Sequence, residues 1–297
     1  SHSTNRKSMV SLAQYYTSEH KGLSFELFPP KTEKGEAALM RHMDALMQFA
    51  PDYVTCTYGA GGSTQSKTMD VITAVKEAFN VPVASHLTCV GSTADDLRRY
   101  LQNATQQEID FLVALRGDPP QGDEKFEAVA GGFSYANELV EFIRAQFPNF
   151  GIAVAGYPEV HQEAPSAEVD LDNLKRKVDA GADIVITQLF YKNTDYFDFC
   201  DRCVKAGITI PIVPGVLPVT NLAQIQRITS LCGSSLPQDF VTKLSQREDD
   251  TQWQFEVGVE FAAAQVQDLI ASGAPGVHFY VLNKSQATRR VLEAAGW

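Results

Sequence analysis

Short runs of apolar, largely β-branched residues recur along the whole chain, and each is followed by a helix-length stretch whose apolar residues return every three or four positions. A run that is apolar without alternation reads as a strand buried on both faces, and a repeating strand–helix order reads as βα units around a parallel sheet. Eight strands are predicted, over Leu23 to Phe28, Tyr53 to Thr57, Val83 to Thr88, Phe111 to Arg116, Ile152 to Gly156, Ile184 to Leu189, Ile212 to Val216 and Val277 to Leu282. The intervening periodicity predicts helices over Glu33 to Phe49, Ser66 to Phe79, Thr93 to Gln107, Tyr135 to Phe147, Leu171 to Ala180 and Gln254 to Ala271. Thr93 and Asp170 stand where N-caps belong, and Gly181, Gly207 and Gly273 where helices end. The eight units predict an α/β fold closed into a single (β/α)8 TIM barrel with a short N-terminal extension. The expected division is a tail and leading helix over residues 1–20 and the barrel over 21–297.

An open doubly wound sheet shares this period, but its dinucleotide turn, Gly-x-Gly-x-x-Gly after the first strand, is missing. The first strand runs instead into Pro29-Pro30, and Gly59, Gly61 and Gly62 follow the second, either as a tight turn or as a place where a ligand approaches the backbone. Ser234 to Asp250 reads as one long irregular stretch, a mobile lid or an insertion.

Composition narrows the function. The 297 residues are 44% hydrophobic and 21% charged, ordinary for a packed globular enzyme, and the formal net charge of -11 lacks the basic field a nucleic acid would need. No apolar window is long enough for a membrane span and Ser1 to Ser8 lacks the core of a secretory signal, so a cytoplasmic protein without a membrane partner is expected. The five cysteines suit a reducing compartment, and the lone pair Cys200 and Cys203 lacks the second pair or histidines of a zinc site. No metal is expected.

In this fold chemistry sits at the carboxyl ends of the strands. Polar residues crowd there: Glu26, Thr57, His86 with Thr88, Arg116 with Asp118, Tyr157 with His161, Gln188, and Asn283 with Lys284. Glu26 interrupts an apolar run, and a carboxylate placed in a barrel mouth must be ion-paired or protonated. Arg116-Gly117-Asp118 is stiffened by Pro119-Pro120, as a binding loop or a surface ion pair. His86 stands where it could donate to a ligand oxygen or serve as a satisfied core histidine. Asp170, Asn173 and Lys177 share one helix face, which suits a ribose and diphosphate or a solvated surface. No Ser-His-Asp order, Schiff-base lysine or metal cluster is apparent, which leaves an organic cofactor to carry the hard chemistry.

Eight ordered motifs make the chain similar to the methylenetetrahydrofolate reductases: Ser24-Phe-Glu-Leu-Phe-Pro-Pro-Lys31, Thr57-Tyr-Gly-Ala-Gly-Gly-Ser63, Ser85-His-Leu-Thr-Cys89, Leu115-Arg-Gly-Asp-Pro119, Gly156-Tyr-Pro-Glu-Val-His161, Thr187-Gln-Leu-Phe190, Pro214-Gly-Val-Leu-Pro218 and His278-Phe-Tyr-Val-Leu-Asn283. The resemblance implies ping-pong reduction of 5,10-methylenetetrahydrofolate to 5-methyltetrahydrofolate by NADH or NADPH through noncovalent FAD, supplying methyl groups for methionine synthesis. It implies FAD contacts at Thr57, Tyr58, Ala60, His86, Arg116, Gly117, Asp118, Tyr135, Ala136, Tyr157, His161, Ala164, Asp170, Asn173, Arg176 and Lys177. Substrate contacts fall on Gln188, Gln224 and Lys284. Glu26 matches the acid that protonates folate N10 as the imidazolidine ring opens, and is expected to be protonated by burial, while Asp118 matches the carboxylate that binds the pterin. Two departures stand out: Leu222, Ile225 and Ile228 where some bacterial members carry an aromatic, and Lys284 where some carry arginine. The regulatory domain of eukaryotic members is not expected, and a homo-oligomer is. Competing expectations are a folate-dependent methyltransferase on the same barrel and a flavin- or folate-binding subunit without reductase activity.

Overall fold

The computed structural model describes residues 11–58, 65–117 and 128–297. A 3-10 helix, Leu12–Tyr15, precedes β1 (Gly22–Leu27), α1 (Glu33–Leu46), β2 (Tyr53–Cys56), α2 (Gln65–Phe79), β3 (Val83–Thr88), α3 (Ala94–Gln106), β4 (Phe111–Leu115), α4 (Ala136–Gln146), β5 (Gly151–Gly156), α5 (Ala167–Asp179), β6 (Ile184–Thr187) and α6 (Asn193–Lys205). Then come β7 (Ile212–Val213), β8 (Gly215–Val216), α7 (Leu222–Cys232), α8 (Gln238–Ser245), α9 (Thr251–Ala271), β9 (Gly276–Tyr280) and α10 (Gln286–Ala295).

All strand pairs are parallel, in the order β7-β6-β5-β4-β3-β2-β1-β9-β8, so the sheet curls into a barrel with the helices outside. The seventh predicted strand is two residue pairs broken at Pro214. Proline has no N–H to donate to a ladder, so β7 pairs only with β6 and β8 only with β9, while the Pro214 carbonyl accepts from His278 N at 3.0 Å.

Strand alternation divides the core in two. Outward residues such as Phe25, Leu27, Val54, Leu112 and Phe279 pack under the helices. Inward residues Ala84, Phe111, Ala153, Ile184 and Val213 fill the barrel, closed from below by Leu12 and Tyr16. A third cluster gathers α7, α8 and α9 beside the barrel mouth. There α9 runs so close to the chain after β8 that a Cβ on Gly258 would lie 1.6 Å from the Val219 carbonyl oxygen.

Two predicted features change. Thr93 caps α3 with a full capping box, but Asp170 is no cap: α5 starts earlier, at Ser166, whose hydroxyl accepts from Val169 N at 3.2 Å. Asp170 falls in the first turn and turns back to accept from His161 N at 3.1 Å. The Ser234 to Asp250 stretch is not irregular throughout, because it contains α8. That helix is too short for its periodicity to stand out, and it is held by Gln254, whose Nε2 donates to the carbonyls of Leu244 and Arg247 at 2.7 and 3.0 Å.

Candidate active site

The carboxyl ends of the strands open into one cavity of about 1120 Å³. That exceeds the roughly 300–1,000 Å³ of a cleft for a single drug-sized ligand, so two ring systems have room. Its floor is the top of the barrel interior. Glu26, second last in β1, points inward because Phe25 and Leu27 on either side are taken by the outer core.

Glu26 Oε1 lies 2.9 Å from His86 Nε2 on β3 and 3.4 Å from the Thr55 hydroxyl on β2. His278 Nε2 on β9 stands 3.5 Å from the same oxygen, too poorly aligned for a hydrogen bond but close enough for its charge to matter. Burial is the largest single influence on Glu26 and pushes its pKa up; the His86 charge and contacts from both rings together outweigh it and hold the carboxyl well below the usual carboxylate range. The expectation of a carboxyl kept protonated by burial is therefore corrected.

The opposite arm of the cavity is built by α5 and the loop before it. Asp170, Asn173, Arg176 and Lys177 all line it, as do Tyr157, His161 and Ala164. Lys177 Nζ donates to the Ala155 carbonyl at 2.7 Å and lies 6.0 Å from the Tyr157 ring centroid. Burial drops its pKa to about 8, against the opposing pull of Asp170. The Asp170 carboxyl is raised by burial, a shift opposed by the His161 N–H and by the charges of His161, Lys177 and Arg202. An ammonium losing hydration without a full counterion, here in the last turn of α5, suits a bound anion.

Arg116 crosses the mouth to pair with Glu163 at 2.6 Å. Thr57, Tyr58, Gly117, Tyr135, Ala136 and Gln188 complete the predicted residues that line the cavity. Gln188 Oε1 accepts from Leu189 N at 3.1 Å. Gln224 and Lys284 do not line the cavity; Gln224 sits at the start of α7 and Lys284 beyond β9, before α10. Ala60 and Asp118 lie outside the described residues.

Sequence reading passed over Tyr280, Glu163 and the Ser24–His278 pair. Tyr280 lines the cavity and donates to the Thr187 carbonyl at 2.7 Å. Its signal was period-two spacing: His278 and Tyr280, like Ser24 and Glu26, alternate inward on neighbouring strands. Cys200 and Cys203 ride on α6 as free thiols, pushed up by burial to about 11 and about 12. Among the described residues no group of three or more His, Cys, Asp or Glu side chains is arranged to hold a metal, and no helix is long and apolar enough to cross a membrane.

Residues 11–296 match the family profile described as Methylenetetrahydrofolate reductase. The chain belongs to the methylenetetrahydrofolate reductase family. It is 38% identical over 274 residues to the 5,10-methylenetetrahydrofolate reductase of Escherichia coli (strain K12), covering 92% of this chain and 90% of that protein. It is 37% identical over 283 residues to Methylenetetrahydrofolate reductase (NADH) 1 of Zea mays, covering 92% of this chain. The chain spans about half the length of such plant relatives, 48% in the maize case. A solved structure of an uncharacterized protein from Clostridium thermocellum, which binds two copies of 5-methyl-5,6,7,8-tetrahydrofolic acid, shares the fold at TM-score 0.65 and 15% identity, with 93% of each chain covered. Membership of this reductase family and the barrel agree with the eight sequence motifs, which all fall within the matched span.

Proposed function

We propose that the chain reduces 5,10-methylenetetrahydrofolate to 5-methyltetrahydrofolate with hydride from NADH or NADPH, using a noncovalent FAD. Family membership supports the substrate. The observation that carries the chemistry is the Glu26 carboxyl held 2.9 Å from His86 Nε2 on the floor of a cavity whose far arm is cationic.

The residues fit FAD. Lys177, Arg176 and Arg116 are the cations for its diphosphate, and Asp170 and Asn173 offer an acceptor and an amide to a ribose. FAD bound there would supply a two-electron carrier that accepts hydride from one substrate and gives it to the next. The side chains do the rest. Gln188 Nε2 donates to a nicotinamide carboxamide or a pterin edge, whichever is bound. The Glu26–His86 pair delivers its proton to folate N10, so the imidazolidine ring opens before hydride arrives. Asp118 is assigned to the pterin N–H groups by family motif alone. A cytoplasmic homo-oligomer feeding methionine synthesis completes the reading.

Purified protein should be yellow, with flavin absorbance bleached anaerobically by NADH or NADPH and restored by methylenetetrahydrofolate. A colourless protein that still turns over the folate would overturn the flavin assignment. Flavin that bleaches yet ignores the folate would overturn the substrate.

A further inference from the structure

The break at Pro214 leaves a seam in the barrel, and at its carboxyl end side chains close it. On this side β6 is paired only through Val185 with Ile212 and Ile186 with Val213, while Gly215 and Val216 have crossed to β9. Thr187, the last residue of β6, therefore stands beyond the ladder. Gly215 N–H donates to the Thr187 hydroxyl at 2.9 Å, and the Thr187 carbonyl accepts from the Tyr280 hydroxyl at 2.7 Å. Tyr280 reaches it from β9, across the seam. Gly215 keeps the passage clear, since a Cβ there would lie 2.4 Å from the Thr187 carbonyl oxygen and 2.8 Å from the phenol oxygen.

The bonded carbonyl is that of the Thr187–Gln188 peptide. A peptide unit is planar, so one held at both its C=O and its N–H has a fixed orientation. The Gln188 N–H donates to the Gly156 carbonyl of β5 at 2.8 Å, so β5 holds one edge of the plane and Tyr280 the other. The side chain that leaves the next α-carbon is the cavity-lining amide. Tyr280 lines the same cavity, and strand register sets it level with Glu26 on β1. One phenol thus ties the amide at the end of β6 to the strand beside the acid. Phenylalanine would fill the same wall; only the hydroxyl needs tyrosine, and the peptide is its partner.

We propose that Tyr280 is a positioning residue: it sets the direction of the Gln188 amide and its distance from Glu26, and through Gln188 the affinity of the site for the nicotinamide and pterin rings. The proposal rests on the reductase reading, in which both rings meet Gln188. Tyr280 acts through the peptide and gives no proton to either substrate. Its hydroxyl is engaged by a carbonyl, and burial together with the Glu26 charge pushes its pKa well above the ordinary phenol value.

Tyr280→Phe removes one hydroxyl and leaves the ring. In ligand-free protein, hydrogen exchange at the Gln188 amide should quicken at least about fivefold as its plane loosens, while the Val185 amide, bonded to the Pro211 carbonyl, stays as in wild type. In stopped flow, the half-saturating NADH for flavin reduction and methylenetetrahydrofolate for reoxidation should each rise about three- to tenfold, as for the loss of one neutral hydrogen bond, with limiting rates within about threefold and FAD affinity within about twofold. Gln188→Ala should weaken both substrates too, and Tyr280→Phe in that background should add less than about twofold, because the amide it acts through is gone. Unchanged exchange at Gln188 would overturn the proposal. Losses that multiply in the double variant would show the phenol meeting ligand by itself, and an equal loss of FAD affinity would show a barrel loosened throughout; either result overturns it as well. Wild-type flavin that NADH cannot bleach or the folate cannot restore would sink the reductase reading instead, and exchange at Gln188 would still decide whether Tyr280 holds the peptide.

Discussion

Glu26 is surrounded by three partners from three different strands, Thr55, His86 and His278, and its protonation is a property of that group rather than of one carboxyl. Hydride exchange with nicotinamide needs no protein acid, whereas opening the folate ring does. Glu26→Gln should therefore leave flavin reduction by NADH within about tenfold of wild type while reoxidation by methylenetetrahydrofolate falls by about 10² to 10⁴. Equal losses in the two half-reactions would make Glu26 a positioning residue. Lys177 is the second residue with a measurable signature. Its ammonium pKa is depressed to about 8 before any ligand binds, so the free protein loses this proton as pH rises through that value. A diphosphate favours the charged form, so flavin binding takes up a proton above pH 8 and affinity should fall from there toward the ordinary lysine value of 10.5. Lys177→Arg should flatten that dependence, because a guanidinium stays charged throughout. Flavin dissociation constants measured across the range would check it, and a wild-type affinity level through pH 10 would place the diphosphate away from Lys177.

At the level of elements, the strand starts share one device on alternate staves of the barrel. Asp52, Asp110 and Asp183 each precede an even-numbered strand and accept the first backbone N–H groups of the strand before, from Leu23, Val83 and Ile152 at 2.9, 3.0 and 2.7 Å. Each carboxylate also meets a basic side chain: His20 at 3.0 Å, Lys76 at 3.0 Å and Arg144 at 2.9 Å. The side chain thus continues a ladder that the backbone alone would leave frayed, and Lys76 and Arg144 balance the charge of Asp110 and Asp183. Asp183→Ala should cost roughly 2–3 kcal/mol, the range for a hydrogen bond to a charged group, seen as a lower denaturation midpoint at unchanged slope. Asp95→Ala, which removes an exposed pair with Arg98 on α3, should leave the midpoint where it is. A similar midpoint in both variants would show that the Asp183 peg adds nothing to the ladder.

Across the whole molecule, the two ends of the barrel are finished differently. The carboxyl end is open, polar and lined by side chains from nearly every strand. The amino end is plugged by Leu12 and Tyr16, with Leu12 fully buried among inward residues of the strands. The plug makes the underside part of the folding unit, so Leu12→Ala should destabilise the barrel by about 2–5 kcal/mol, the usual range for deleting a core leucine. A calorimetric midpoint unchanged by this substitution would show that the segment only rests against the barrel. The net charge of -11 belongs to this scale too: an anionic ligand meets a repelling surface until it reaches Arg116, Arg176 and Lys177 inside the cavity.

Local pattern was enough for the βα alternation, the parallel sheet and the polar rim, because buried strands and amphipathic helices are written in the spacing of apolar residues that each segment carries by itself. It was enough for Glu26, His86 and the Asp170–Asn173–Lys177 face, since strand-end position and helical spacing are also local. The break at Pro214 was visible as a residue but not as a division, because which neighbour each half pairs with depends on closure. Asp170 looked like a cap until the loop from His161 offered it a backbone N–H from nine residues away. The protonation of Glu26 was misread for the same reason: burial is a one-body effect that a sequence hints at, while His86 and His278 reach the carboxyl from 60 and 252 residues along the chain. Contacts of that range exist only once the barrel closes, and they decide where the proton rests.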